Sequence, residues 1–519
     1  MSAAPAEGDP GAGPVEPSAG LLDLALAAAE RGEGAVPAGE AAEEGSWVRS
    51  VVALFGPAGP FGGPWTRAGL FHALDAAIAD IDVRLSVQLD AILHHRRFQR
   101  LEASWRSLRR LVRLADECDN TKVRVLHIGW PELCRDLDRA IEFDQSQAFG
   151  KIYSEEFGTP GGEPFGLIIG DYEVQHRRTA DHPTDDIAAL KAMSEVAAAA
   201  FAPFIVAAAP AFFGVDSFRD LTLPIDFANV FRSAEYARWR TLQEGEDARF
   251  VGIVLPRVLA RRPYGDDGTR FDGFRYREAI EDEVGERHLW GSAAYAFAAV
   301  VIRGFGGSGW FTDLRGARRE RLVVGDSLQP HGGLVAHLPA VHFATDQAGL
   351  VVKPSSEIAL TERQEKDLAD LGFLPLLAAK DTEFCIFYSN QSIQLPRTYD
   401  SAAATANARI SAMLQYILCV SRFAHYLKVM ARDRVGSFST PEQCEDALQH
   451  WLRDYCTSNA NPSPELMARC PLRQGRVEVS EPPGRPGSYR CIVHLRPHSQ
   501  VDQVVSEFRL VTELAPRAA

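Results

Sequence analysis

The sequence predicts a mixed α/β protein, and three observations carry that reading. Apolar residues recur at helical spacing over residues 66–115. From about residue 121, short β-like runs alternate with helical stretches. The chain then closes in further strand-like runs that lack helices between them.

Taken in order, residues 1 to about 45 are rich in Ala, Gly, Pro and Glu and read as a mobile tail. One island breaks it. Leu21-Leu22-Asp23-Leu24-Ala25-Leu26 and the alanines after it favour a helix, with Ser18 as an N-cap and Gly32 as a stop. A helix this short is marginal in water by itself, so it either recognises a partner or docks on its own domain. Ile78, Ile81, Leu85, Leu89, Ile92 and Leu93 recur at helical spacing, as do Leu101, Trp105, Leu108, Leu111 and Val112. Strand-like runs follow at Val123–Ile128, Phe165–Ile169, Phe204–Ala208 and Phe250–Leu255, with helical stretches at 186–200 and 228–242. That alternation implies a sheet that is at least partly parallel. A second helical block covers about 404–432, with Ile410, Met413, Leu414, Ile417, Phe423 and Leu427 as its apolar stripe, and another helix covers 441–456. Val477–Val479, Tyr489–Leu495 and Phe508–Leu514 read as closing strands, the first two separated by the turn-rich EPPGRPGS. Strands without helical cover leave unpaired edges, which proteins hide, so pairing with another subunit is expected.

The composition narrows the function. Net charge is −14, which argues against a partner held by its phosphates. No run approaches the roughly 18 apolar residues of a membrane span, and the first twenty residues lack a secretory signal, so a cytoplasmic protein is expected. The eight cysteines contain no CxxC pair and read as free thiols in a reducing compartment.

Signs of chemistry are sparse. There is no GxxxxGK[ST] loop, HExxH or GxSxG. The glycine cluster Gly304–Gly309 lacks the strand-then-helix setting of a dinucleotide site and reads as a turn. His94 and His95 point about 100° apart on a helix and, followed by Arg96 and Arg97, look like a solvated helix end. His331, His337 and His342 lack a carboxylate or thiol at ligand spacing. Asp80/Asp82 and Glu281/Asp282/Glu283 read as exposed helix charges. No catalytic, cofactor-binding or metal residues are assigned, and an enzyme is not expected.

Longer strings are more specific. LSVQLDAILHHRRFQRLEASWRSLRRLV at 85–112, LPRVLARRPYG at 255–265 and LWGSAAYAFAAVVIRGF at 289–305 resemble the TssC (VipB/ImpC) family, the large sheath subunit of type VI secretion systems. GGLVAHLP at 332–339, LADLGFLPL at 368–376, the segment 404–438, CPLRQGRVEV at 470–479, PGSYRCIVHLRPHSQ at 486–500 and FRLVTEL at 508–514 continue the resemblance in family order. The chain departs at Ser292, where the family often has Asn, at Ser356, where it has Thr, and through 311–330.

The resemblance implies a structural, non-catalytic subunit. Its organisation would be a tail at 1–45 with a short helix at about 18–31, a strand and helical region at 46–120, an α/β sheath body at 121–400, helices at 401–460 and a strand region at 461–519. The implied partners are a small sheath subunit (TssB/VipA), further copies in a helical lattice, an Hcp inner tube, a ClpV-type AAA+ ATPase and a baseplate, with no nucleic acid, no membrane insertion and no cofactor. On this reading Leu21, Leu22, Leu24 and Leu26 are the ATPase handle, and Val493, Leu495, Phe508, Leu510 and Val511 form strands shared between subunits, joined by flexible linkers at 480–488 and 496–507. Trp105, Trp239, Trp290 and Tyr426 are expected in the core. Arg257, Arg261 and Arg262 lie just after a strand, and two readings stay open: a bridge to an acidic partner surface, or local salt bridges. Two other functions remain, the sheath of a phage-tail-like particle and an α/β enzyme with an unrecognised site.

Overall fold

The computed structural model describes residues 53–57, 67–265, 274–280, 287–318, 331–339, 355–379, 384–433, 440–457, 459, 462–481, 489–498 and 508–514. The chain divides into two compact units, residues 1–92 with 264–278 and residues 93–263 with 279–519. The first is dominated by helix α1 (Arg67–Leu93), rich in Ala, Leu and Asp and braced by an Asp80–Arg84 ion pair at 2.8 Å. Tyr276 donates to Asp90 at 2.5 Å in the same unit. The apolar residues Ile78, Ile81, Leu85 and Ile92 of α1 are exposed, with Val83 at 61% and Val87 at 64%.

The second unit opens with α2 (Arg96–Asp116), which starts after the extended His95, so His94 and His95 do mark a helix boundary. Helix α3 (Trp130–Arg139) follows, with Pro131 in its first turn. The predicted strand at Val123–Ile128 does not form: among the described residues these amides join no ladder, and Val125 and Leu126 are exposed. The chain then lays down β1 (Ile168–Val174), α4 (Asp186–Ala200), β2 (Phe204–Ala208), α5 (Phe227–Arg232), α6 (Ala237–Gln243) and β3 (Val251–Leu255). The predicted 228–242 helix is therefore two helices, parted at the extended Ser233. Short pairs β4 (Val258–Leu259) with β5 (Trp290–Gly291) and β6 (Ala317–Arg318) with β7 (His331–Gly332) flank α7 (Ala294–Ser308). Strand β8 (Leu334–Val335), helix α8 (Glu362–Asp370), β9 (Phe373–Ala378) and β10 (Cys385–Phe387) complete the body.

The glycine cluster is a correction. Gly304 to Ser308 form the last turns of α7, and only Gly309, at φ +76°, makes the turn. Two of these glycines are present for close approach: a Cβ on Gly306 would lie 2.3 Å from Cys118 Sγ, and one on Gly304 would lie 2.8 Å from Leu314 Cδ2.

The main sheet has strand order β1-β2-β3-β9-β10-β8, parallel through β9 and antiparallel beyond. Strands β2 and β3 are buried along their whole length, as expected where helices cover both faces. The strand period of two separates those faces. Phe204, Val206 and Ala208 join Leu190, Met193, Val196 and Trp239 on one side. Ile205 and Ala207 join Phe297, Val300, Leu414 and Leu418 on the other.

The C-terminal part holds α9 (Ala402–Ser411), α10 (Leu414–Asp433), α11 (Pro441–Arg453) and α12 (Pro464–Arg469), then β11 (Leu472–Ser480), β12 (Tyr489–Pro497) and β13 (Phe508–Leu514). The predicted 404–432 helix is broken at Met413, which bridges to Gln391. A third core joins Phe423 and Leu427 of α10 and Leu448 and Leu452 of α11 to Val477, Val493 and Leu495 of an antiparallel three-stranded sheet.

Candidate assembly surfaces

The five residues expected to share strands lie in one sheet. Val493 pairs with Leu510, Leu495 with Phe508 and Ile492 with Val511 across β12 and β13. Val493 and Leu495 are fully buried against the helices. Because β12 is the middle strand, its backbone is already used on both sides. The edges are β11 and β13, and they differ. On β11 the Val477 amide donates to Gln449 Oε1 and the Val479 amide to Glu445 Oε2, both at 2.9 Å, while Gln449 Nε2 donates to the Gly475 carbonyl at 3.1 Å. Helix α11 thus covers that edge with side chains, and Gly475 lets it approach: a Cβ there would lie 2.6 Å from Leu452 Cδ2. Strand β13 has no second neighbour among the described residues, so it is the edge left for another strand.

Of the arginine trio, two are local. Arg257 makes a two-pronged bond to Glu173, at 2.5 and 2.7 Å, and lies 3.7 Å from Glu357. Arg261 is buried and donates to Glu102 of α2 at 2.8 Å. Arg262 is exposed. Trp239 is in the core as expected, and Trp290 and Tyr426 are half-buried. Trp105 overturns its expectation: it is 63% exposed. Helix α2 buries Ala103, Ser107, Leu111 and Ala115 instead, a face of small residues that seats it on Ala260 and Gly291 of the body.

Among the described residues the histidines build no metal centre. His331 faces Asp313 at 3.8 Å, His337 sits at φ +60°, and His342 lies outside the described residues. Among the described residues no group of three His, Cys, Asp or Glu side chains is placed to hold a metal ion, and no helix is long and apolar enough to cross a membrane. The tail leucines Leu21, Leu22, Leu24 and Leu26 and most of the two predicted linkers also lie outside the described residues.

Sequence reasoning missed the hub at Asp186. Its buried carboxylate accepts from Trp130 Nε1, the Gln175 amide and the Thr184 hydroxyl, and meets His182 Nε2, all within 2.7–2.8 Å. His182 and Thr184 lie four and two residues before Asp186, but Trp130 and Gln175 stand 56 and 11 residues away, and no local spacing announces those two. It also missed the β11 edge caps, although Glu445 and Gln449 stand four apart on one helix face.

The order of elements, a helix-covered parallel body followed by an end of four helices and three strands, is matched by two successive families. Residues 75–394 match "EvpB/VC_A0108, tail sheath N-terminal domain" and residues 403–514 match "EvpB/VC_A0108, tail sheath gpW/gp25-like domain". The chain is 39% identical over 445 residues to the type VI secretion system sheath protein TssC1 of Pseudomonas aeruginosa, spanning 85% of this chain and 86% of that one. Fold and matches together define a contractile-tail sheath protein. The chain belongs to the TssC (VipB/ImpC) family, and its role is that of a structural subunit of the type VI secretion sheath.

Proposed function

We propose that this chain is the large subunit of a contractile sheath that assembles with a small sheath subunit, stacks as a helical tube around an Hcp-type inner tube, and drives that tube outward when the lattice contracts. The observation that carries the reading is the asymmetric end sheet: β11 is sealed by Glu445 and Gln449, and β13 is left as an edge. A strand from a neighbouring subunit added there supplies main-chain bonds that survive rotation of one subunit against the next, and a head-to-tail contact that does not close builds an open helix. Residues Phe508, Leu510 and Val511 lie on that edge strand, with Val493 and Leu495 behind it. Work in such a lattice comes from an extended state trapped above the contracted one, so the subunit itself needs no catalysis or cofactor. The tail leucines Leu21, Leu22, Leu24 and Leu26 would then serve a ClpV-type ATPase that dismantles spent sheath, in the cytoplasm, with the tube seated on a baseplate.

Negative-stain electron microscopy tests this directly, on the chain expressed alone and with its small-subunit neighbour. Hollow tubes in the co-expressed sample only are the expected result. Discrete particles in both samples overturn the proposal.

A further inference from the structure

Helices α10 and α12 and the end of β12 meet around a cavity of about 30 Å³. Its walls include Gln415 and Cys419, one turn apart on α10, Met467 of α12, His498 just past β12, and Phe311 and Thr312 of the segment after α7. Two of these side chains carry buried polar atoms with no hydrogen-bond partner among the described residues, Gln415 Oε1 and His498 Nε2. Gln415 is only 4% exposed, so bulk solvent does not serve it. Buried acceptors left in this way cost stability, and native interiors meet them with a donor.

The state of the His498 ring says what kind of donor fits. The ring bonds the Leu472 carbonyl, and because Nε2 is unpaired that bond belongs to Nδ1–H. Burial, and after it the Arg473 charge, holds the ring below the ordinary histidine pKa, so it is neutral at pH 7. Nε2 is therefore a bare lone pair, and Gln415 Oε1 is a second acceptor. An anion would meet those lone pairs. A cation would meet the Arg473 charge and no carboxylate among the lining residues. The Thr312 hydroxyl is already spent on the Ala468 carbonyl at 3.3 Å. What remains is a small neutral molecule that donates.

We propose that this cavity is a structural water site, in which two waters bonded to each other donate to Gln415 Oε1 and to His498 Nε2. A water needs roughly 10–15 Å³ of such space, so two fit. The chain leaves β12 at His498, whose amide donates to the Pro471 carbonyl at 3.0 Å. The waters add a side-chain tether to α10 and so fix where the segment leading to β13 departs. The site goes beyond the sheath reading and does not depend on it.

The test is oxygen-17 magnetic relaxation dispersion on the full chain, which counts waters held inside for longer than the molecule tumbles. Wild type is expected to hold two more than Gln415→Leu/His498→Phe, whose apolar side chains fill the space and need no donor. Each single variant leaves one acceptor wanting, so its thermal midpoint should fall further than that of the double variant. Amide exchange at His498 should be at least tenfold faster in Gln415→Leu than in wild type. A crystal structure of the wild-type chain reads the site without any substitution: two water peaks ~2.7–3.2 Å from their acceptors are expected. Equal water counts in wild type and the double variant overturn the proposal. So do single-variant losses that simply add in the double, unchanged exchange at His498, or density that shows an ion or a protein donor on either atom.

Discussion

Arg257 holds Glu173 through two parallel bonds, Nε to Oε1 at 2.5 Å and Nη2 to Oε2 at 2.7 Å, fixing the residue after the cis Leu255–Pro256 bond to the edge strand β1. The same guanidinium lies 3.7 Å from Glu357, whose carboxyl is pushed up by burial and pulled back by Arg257. One arginine thus serves two carboxylates, and the sites are unequal: Glu173 reaches water, whereas Glu357 is 7% exposed.

Replacing Arg257 with alanine strands the buried Glu357. A loss of about 2–3 kcal/mol in urea unfolding at pH 7 is expected. Adding Glu357→Gln should restore part of it, because the amide needs no counter-charge. With Arg257 gone the Glu357 carboxyl rises further above its unfolded value. The protonated form then fits the fold, so the deficit of the single variant should shrink as the pH falls. A deficit that stays constant with pH would place the damage at Glu173 instead.

His425 is buried on α10, and its Nε2 sits 2.9 Å from the Ala200 carbonyl. Desolvation, opposed by the bond to the Ala200 carbonyl and aided by the nearby Arg422 and Lys428 charges, pushes its pKa down to about 4. The unfolded chain takes up a proton near pH 6.5, whereas the folded chain resists until about 4. Stability is therefore whole above the unfolded value and is lost as the pH falls between the two. Between pH 7 and 5 wild type should lose about 2 kcal/mol more than His425→Gln. Equal losses in the two proteins would refute the assignment.

Much of this fold was legible because it rests on periodicity. Phe204–Ala208 and the helix at 186–200 appear where the sequence placed them, and burial on both faces explains the unbroken apolar run of β2. The misses share a cause, namely information held by the partner surface and not by the segment. Val123–Ile128 has the composition of a strand but meets no other strand among the described residues. Gly304 and Gly306 read as turn formers, yet their role is to admit Leu314 and Cys118 against a helix. Trp105 sits at a spacing that suits a core, and the side chains of Ala103 and Ser107, not size, decide which face the body takes.

Gly252 shows the same logic in the centre of the sheet. A Cβ there would meet Leu414 Cδ1 at 2.7 Å and the Cδ1 atoms of Ile205 and Leu374 at 2.8 Å. All three methyls belong to one closed core cluster, so none can swing into solvent. Gly252→Ala should cost about 1–3 kcal/mol by overpacking, and Gly252→Val more. Pairing Gly252→Ala with Leu414→Ala should recover part of the loss, since the second change opens space beside the first. Differential scanning calorimetry of the four proteins reads this, and strict additivity would contradict a shared contact.

The two edges of the end sheet give a prediction in which stability and assembly separate. Gln449→Ala removes the acceptor of the Val477 amide and the donor to the Gly475 carbonyl, leaving β11 open in the middle. The loss should be about 1–2 kcal/mol, with a second consequence: an exposed ladder edge recruits other chains. Sedimentation should show irregular aggregates that grow with concentration. Deleting residues 508–519 acts at the opposite edge. It strips β13 from β12 and should abolish tubes in the co-expressed sample. Gln449→Ala should leave tube formation intact once aggregates are removed, because the proposed assembly adds its strand at β13 and not at β11. If the Gln449 variant loses tubes and the deletion keeps them, the roles of the two edges are reversed.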